Sequence, residues 1–243
     1  MTSQLVCRPE QDLPVAVLRV NGVLDLVTSD ALRRAVARSL SAQPEALLID
    51  VSALDIDEPQ GLSALRDVVC ANATWPAVPI VLCGAGADTA AAITASPDCA
   101  SVGTAPDCAR ALREASGRRH PARLRVRLRP VPDACRQVRH LVNQACQTWH
   151  HRELAATAAL VATELVANVV RHAHTTMEFT VVLRDGSMWL SVRDGSRRLP
   201  RPADPGPADA GGRGLRLVRE LTASWGVLPV SDGKVVWSQI AAA

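Results

Sequence analysis

A chain of 243 residues, 48% hydrophobic and 21% charged, exceeds one average domain of about 150 residues and is too apolar for wholesale disorder. Its 27 basic and 24 acidic residues leave a net charge of only +3, and aromatic content is 2%. That excludes a nucleic-acid surface argued from charge and a stacking platform for single strands.

In chain order, Val15–Val20 predicts a strand, with Asn21-Gly22 a tight-turn signal leading into Val23–Leu26. Thr28 or Ser29 is positioned to cap a helix over Asp30–Leu40, whose Leu32, Val36 and Leu40 recur every four residues. An apolar run Leu47–Val51, a helix near Gly61–Asn72 and a second run Val78–Cys83 follow. Two short helices near Asp88–Thr94 and Pro106–Ala115 complete this half. Strands alternating with helices predict a mixed sheet with helices on it.

The polar stretch SGRRHPAR at 116–123 interrupts apolar periodicity, which resumes on both sides. It divides the chain into a first domain over 1–115, a linker over 116–122 and a second domain over 123–243. The second domain opens with RLRVRLR at 123–129, a polar and apolar alternation that fits a half-buried strand. Helices follow over Asp133–Trp149 and Arg152–His172. Glu178–Arg184, the turn Asp185-Gly186 and Met188–Arg193 read as a hairpin. The proline-rich stretch 196–212 is a long loop, and such loops serve function or move. A helix Leu215–Leu221 and strands around Trp225–Leu228 and Lys234–Ile240 close the chain.

The seven cysteines are odd in number and scattered, with no C-x-x-C pair. Most sit among apolar residues, where a free thiol behaves as a small hydrophobe. His150, His151, His172 and His174 lack partners at metal-ligand spacing and are expected at the surface. Lys234 is the only lysine in the chain, which reads as a coding bias toward arginine. No apolar run approaches the roughly 20 residues that span a bilayer. The start MTSQLVCRPEQDLP has no basic segment followed by an apolar core, so a cytoplasmic protein is expected.

Three features of the second domain combine. Glu164, Asn168 and His172 are four residues apart and form one row on a helix. Their neighbours Val161, Leu165, Val166, Val169 and Val170 border that row with apolar surface. Taken alone, such a row is usually the solvated side of a helix. Val192-Arg193-Asp194-Gly195-Ser196 ends a strand; its aspartate is either a turn former or an acceptor for an exocyclic amine. Gly211-Gly212-Arg213-Gly214-Leu215 enters a helix, where glycine backbone and the helix terminus favour phosphate and Arg213 adds a positive charge.

In that order, ELVANVVRHA, VRDGS and GGRGL resemble the three nucleotide-binding boxes of the GHKL ATPase superfamily, in the flavour of anti-sigma-factor serine kinases. The resemblance extends over 120–243. It implies a two-layer α/β sandwich with Glu164 as catalytic base, Asn168 as Mg²⁺ ligand and Asp194 as adenine reader. His172 and Ser196 would flank the nucleotide, Gly212, Arg213, Gly214 and Leu215 would hold its phosphates, and 197–211 would be a lid. Many members have glycine where this chain has Ser196. Residues 13–115 resemble a STAS domain, the anti-anti-sigma fold, through RVNGVLD, LLIDVSALD and Gly61-Leu62. The hydroxyl that such domains offer for phosphorylation is missing, because Glu58-Pro59-Gln60-Gly61 stands in its place and Ser63 lies within the predicted helix. The implied protein is an α/β ATP-binding regulator with ATP and Mg²⁺ as cofactors. Its partners would be a sigma factor or a separate STAS-domain protein, with no direct nucleic acid and no membrane, and a homodimer is possible. The other reading is a non-catalytic interaction module whose nucleotide stabilises one conformation.

Overall fold

The computed structural model describes residues 4–12, 14–56, 60–71, 78–116, 121–200 and 213–241. They fall into two compact units, Met1–His120 and Pro121–Ala243. The stretches 57–59, 117–120 and 201–212, which contain Glu58, Pro59, most of the expected lid and Gly212, lie outside the described residues.

The first unit contains strands β1 (Leu5–Asp12), β2 (Val15–Leu24), β3 (Ala46–Ile56), β4 (Ile80–Cys83) and β5 (Val102–Ala105). They form one mixed sheet in the order β1-β2-β3-β4-β5. β1 runs antiparallel to β2, and the remaining neighbours are parallel. Val15–Leu18 and Ala46–Ile49 are buried at every position, which suits parallel strands covered on both faces. Helix α4 (Cys108–Ser116) covers one face, where Ala111 meets Val15, Val17, Ala46, Leu48 and Cys83. Helices α1 (Ser29–Ser41) and α2 (Gln60–Ala71) pack on each other and on β2. A short helix α3 (Ala87–Thr94) leads to β5. Leu32, Val36 and Leu40 are all fully buried, so the four-residue recurrence identified the core face of α1.

Three expectations are corrected here. Asn21-Gly22 is not a hairpin turn: β2 continues through it to Leu24, and the register against β3 shifts between Arg19 and Asn21. Gly22 has φ +110°, and a Cβ there would lie 2.0 Å from the Gln4 carbonyl oxygen. The glycine thus serves a local irregularity beneath the β1 edge. Nor does Thr28 or Ser29 cap α1 through its side chain. Asp25 Oδ1 instead accepts from the Val27 and Thr28 N–H groups at 2.8 and 2.7 Å, an aspartate turn that starts the helix. Finally, Cys70 on α2 and Cys99 are joined as a disulfide, with their Cα atoms 4.9 Å apart. Cys83 and Cys146 are buried free thiols. Burial is the main cause that pushes Cys83 upward, and Cys108 beside it is raised for the same reason.

The second unit has β6 (Ala122–Leu128), β7 (Met177–Arg184), β8 (Ser187–Asp194), β9 (Ser224–Val230) and β10 (Gly233–Ala241). The sheet order is β6-β7-β8-β10-β9, antiparallel throughout. Helices α5 (Asp133–Thr148) and α6 (Ala155–Asn168) pack together over one face. The period-two residues Phe179, Val181, Leu190, Val192, Val236 and Ile240 share a core with Val138, Val142, Leu165 and Val166. This is a two-layer α/β sandwich. Helix α7 (Arg213–Leu221) closes against α6 and β9.

The helix expected over Arg152–His172 has three parts. A 3₁₀ turn over Arg152–Leu154 precedes α6, and a π-helical turn over Val169–Ala173 follows it. His174 ends the run in the left-handed region at φ 54°, its N–H donating to the Val169 carbonyl at 2.9 Å. Such widened turns recur at functional sites. By length and composition Arg152–Ala173 could cross a membrane, with mean hydropathy 1.5, but half of that apolar window is buried within the protein. Its apolarity is that of a core helix.

Candidate nucleotide site

A cavity of ≈ 320 Å³ opens between the end of α6, the end of β8, the start of β10 and the start of α7. That is the lower end of the range for small-molecule sites. Leu165, Val169, Leu215 and Val236 give it apolar walls, and Asn168, Asp194 and Lys234 bring polar groups into it.

Asp194 is the last residue of β8, and its side chain is only 1% exposed. Its core-facing position follows from the strand alternation that also buries Met188, Leu190 and Val192. Oδ1 accepts from the Ser196 N–H at 2.8 Å and from Lys234 Nζ at 2.8 Å. Oδ2 is buried and has no hydrogen-bond partner among the described residues. A buried carboxylate oxygen left in that state is costly unless a ligand donates to it. The Ser196 hydroxyl accepts from the Arg198 N–H at 3.3 Å, and the Ser196 carbonyl accepts from Lys234 Nζ at 3.1 Å. Serine at this position therefore leaves the turn's backbone contacts to Asp194 and Lys234 in place.

Glu164 and Asn168 lie on α6, one turn apart, both half-buried, and His172 follows on the π turn, exposed at the cavity rim. Glu164 is not on the cavity wall. Its Oε2 packs beneath the start of α7, where a Cβ on Gly214 would lie 2.6 Å from Oε2 and 3.7 Å from Asn168 Oδ1. A side chain at 214 would push the Glu164 carboxylate aside, so glycine here lets the helix start, the acid and the amide lie close together. Arg171 Nη2 lies 3.4 Å from Glu164 Oε2. Gly214 and Leu215 reach the cavity, as do Arg198, Leu199 and Pro200 after β8. Arg213 begins α7.

Two charged cavity residues, Lys234 and Arg171, are not among the expected site residues or the expected lid. Lys234 stands out in the sequence only as the one exception to an arginine bias, yet its side chain is 8% exposed. The available signal was position: it shares the core-facing parity of β10 with Val236, Ser238 and Ile240, where a lone lysine requires a partner. Arg171 lies one residue before His172 and was hidden by the four-residue row. The cavity neighbourhood is also braced from outside, because Arg193 Nη2 donates to both oxygens of Asp232 at 3.0 and 2.8 Å. Next to it, Gly233 approaches so closely that a Cβ would lie 1.9 Å from the Asp194 carbonyl oxygen.

Residues 128–239 match the family described as the histidine kinase-like ATPase domain. No curated protein matches the chain. Among solved structures, the RsbU and RsbW domains of a Mycobacterium tuberculosis protein are 18% identical with TM-score 0.39, over 49% of this chain and 31% of that one. The chain thus spans about a third of that protein. An anti-sigma factor antagonist from Mycobacterium paratuberculosis is 24% identical with TM-score 0.39, over 46% of this chain and 95% of that one. The histidine kinase domain of a blue-light activated histidine kinase from Erythrobacter litoralis is 19% identical with TM-score 0.31, over 42% and 60%. Through the family match, residues 128–239 are a histidine kinase-like ATPase domain.

Proposed function

We propose that the second unit binds ATP with Mg²⁺ and that the chain is a cytoplasmic regulator of the anti-sigma-factor, serine-kinase type. It would switch between a sigma factor and a separate STAS-domain protein according to nucleotide state. One observation carries the nucleotide reading: Asp194 Oδ2, buried and unpartnered on the cavity wall. An adenine 6-amino group supplies the missing donor. The apolar walls from Val169, Leu215 and Val236 suit the faces of a base, and the cavity borders the N-terminal end of α7, the helix end that favours phosphate. Asn168 is the residue that would hold Mg²⁺, which when bound neutralises charge on phosphate oxygens.

In the catalytic form of this reading, Glu164 takes the proton from an incoming serine or threonine hydroxyl of the partner. The hydroxyl oxygen gains the γ-phosphoryl group and ADP departs. Gly214 leaves its side-chain space empty, so the acid lies directly against the helix start that would face the phosphates. The Arg171–Glu164 ion pair at 3.4 Å favours a second reading. A carboxylate already engaged by a guanidinium suits a binding module in which nucleotide only stabilises the competent conformation.

Thermal unfolding followed by tryptophan fluorescence tests the nucleotide reading, because Trp149, Trp189, Trp225 and Trp237 lie in the second unit. ATP with Mg²⁺ at a hundredfold excess over its dissociation constant should stabilise that unit by about 2.7 kcal/mol. An unchanged melting curve would count against the proposal.

The first unit, which we read as STAS-like, is proposed not to accept phosphate from this chemistry. Gln60 starts α2 and carries no hydroxyl, and Ser63 is half-buried on that helix. Incubation of the full chain with labelled ATP and Mg²⁺ should leave residues 55–66 unlabelled on peptide mapping. Stable phosphate there would contradict the proposal.

A further inference from the structure

Lys234 sits at the first core-facing position of β10, directly opposite Asp194 in the antiparallel register. Both side chains are nearly sealed from water, at 8% and 1% exposure. The ammonium group spans two acceptors, Asp194 Oδ1 at 2.8 Å and the Ser196 carbonyl at 3.1 Å. The Ser196 N–H also donates to Oδ1. The result is a carboxylate with one oxygen saturated by two donors and the other left without any among the described residues.

We infer that Lys234 is a positioning residue that makes this pocket select a 6-amino purine over a 6-oxo purine. The inference rests on the ATP-binding reading and adds what sets the base preference. With Oδ1 held by lysine and backbone, the carboxylate cannot turn, and the edge it presents at Oδ2 is a pure acceptor. A 6-amino group donates to it. A 6-oxo group places acceptor against acceptor at Oδ2, and two of the lysine's three N–H donors are already engaged by Asp194 Oδ1 and the Ser196 carbonyl. The positioning does not depend on the lysine alone, since the Arg193–Asp232 pair and the Gly233 approach fix the two strands at this point. Without the ammonium, Oδ1 keeps only the Ser196 N–H of its two donors, so the edge that Oδ2 presents is no longer fixed and the distinction between the two purines shrinks.

The test is calorimetric titration of the full chain with ATP and with ITP, each with Mg²⁺, for the natural protein and for Lys234→Met. The natural protein should prefer ATP by about tenfold or more, the scale of one hydrogen bond to a charged group. Lys234→Met should weaken ATP about tenfold or more and ITP much less, so that the ratio approaches one. Equal weakening of both nucleotides marks a purely structural lysine and overturns the inference, as does an unchanged ratio. Circular dichroism establishes whether Lys234→Met is folded. If it is not, the double variant Asp194→Asn, Lys234→Met, which leaves no lone buried charge, is titrated in its place. An asparagine amide meets either purine, so the double variant should not discriminate; retention of the natural ratio overturns the inference. Failure of the natural protein to bind ATP overturns the nucleotide reading itself, whereas ATP binding with an unaffected ratio overturns only the role of Lys234.

Discussion

Asp194→Ala is expected to lower the unfolding free energy of the second unit by about 3–5 kcal/mol, the cost of leaving one partner of a buried ion pair alone. The partner left behind is Lys234, whose ammonium would keep the Ser196 carbonyl as its remaining acceptor among the described residues. The variant would also lose adenine-nucleotide affinity by roughly 10- to 100-fold through the missing acceptor. Urea unfolding followed by tryptophan fluorescence reads the first effect, and nucleotide titration at low denaturant reads the second. Asp194→Asn separates them. It preserves side-chain volume and an oxygen for the amine while weakening the attraction to Lys234, so its stability should fall less than that of the alanine variant. A fully stable Asp194→Ala would mean that the Lys234–Asp194 contact contributes nothing to the fold.

The second large effect is expected at Glu164. Glu164→Gln retains the side-chain shape under α7 and the capacity to accept from Arg171, so nucleotide affinity should change by no more than about threefold. Phosphoryl transfer should fall by about 10²–10⁴-fold, the contribution of a positioned general base. Single-turnover release of ADP, measured with saturating ATP and Mg²⁺, distinguishes the two readings of the unit. A turnover rate unaffected by Glu164→Gln favours the binding module, with the Arg171–Glu164 pair as a structural contact.

Local patterns in the chain were the legible ones. The recurrence of Leu32, Val36 and Leu40 located α1, the alternation in RLRVRLR located β6, and the four-residue row put Glu164, Asn168 and His172 along one helical run. What escaped was set by partners distant in sequence. β1 contains Pro9 and three charged residues within eight positions, a composition that only an edge strand tolerates. β5 is four residues long and includes Gly103, too short for a periodic signal. Asn21-Gly22 has the composition of a hairpin turn, but β1 and β3 already flank β2 on both sides and hold it straight through that point. The disulfide joins cysteines 29 residues apart, and no spacing rule selects that pair from seven. At the site, Asp194 was readable from its motif, whereas Lys234 lies 40 residues further on and meets it only through the β8–β10 register.

The pocket's reality as a nucleotide site can be measured without knowing any partner. Calorimetric titration of ATP with Mg²⁺ into the intact chain should give saturable heat from one class of site, with a dissociation constant below about 1 mM. That heat should be greatly reduced in Asp194→Ala under conditions in which the variant is folded. Absence of heat at millimolar nucleotide, from protein whose tryptophan fluorescence shows it folded, would contradict the account.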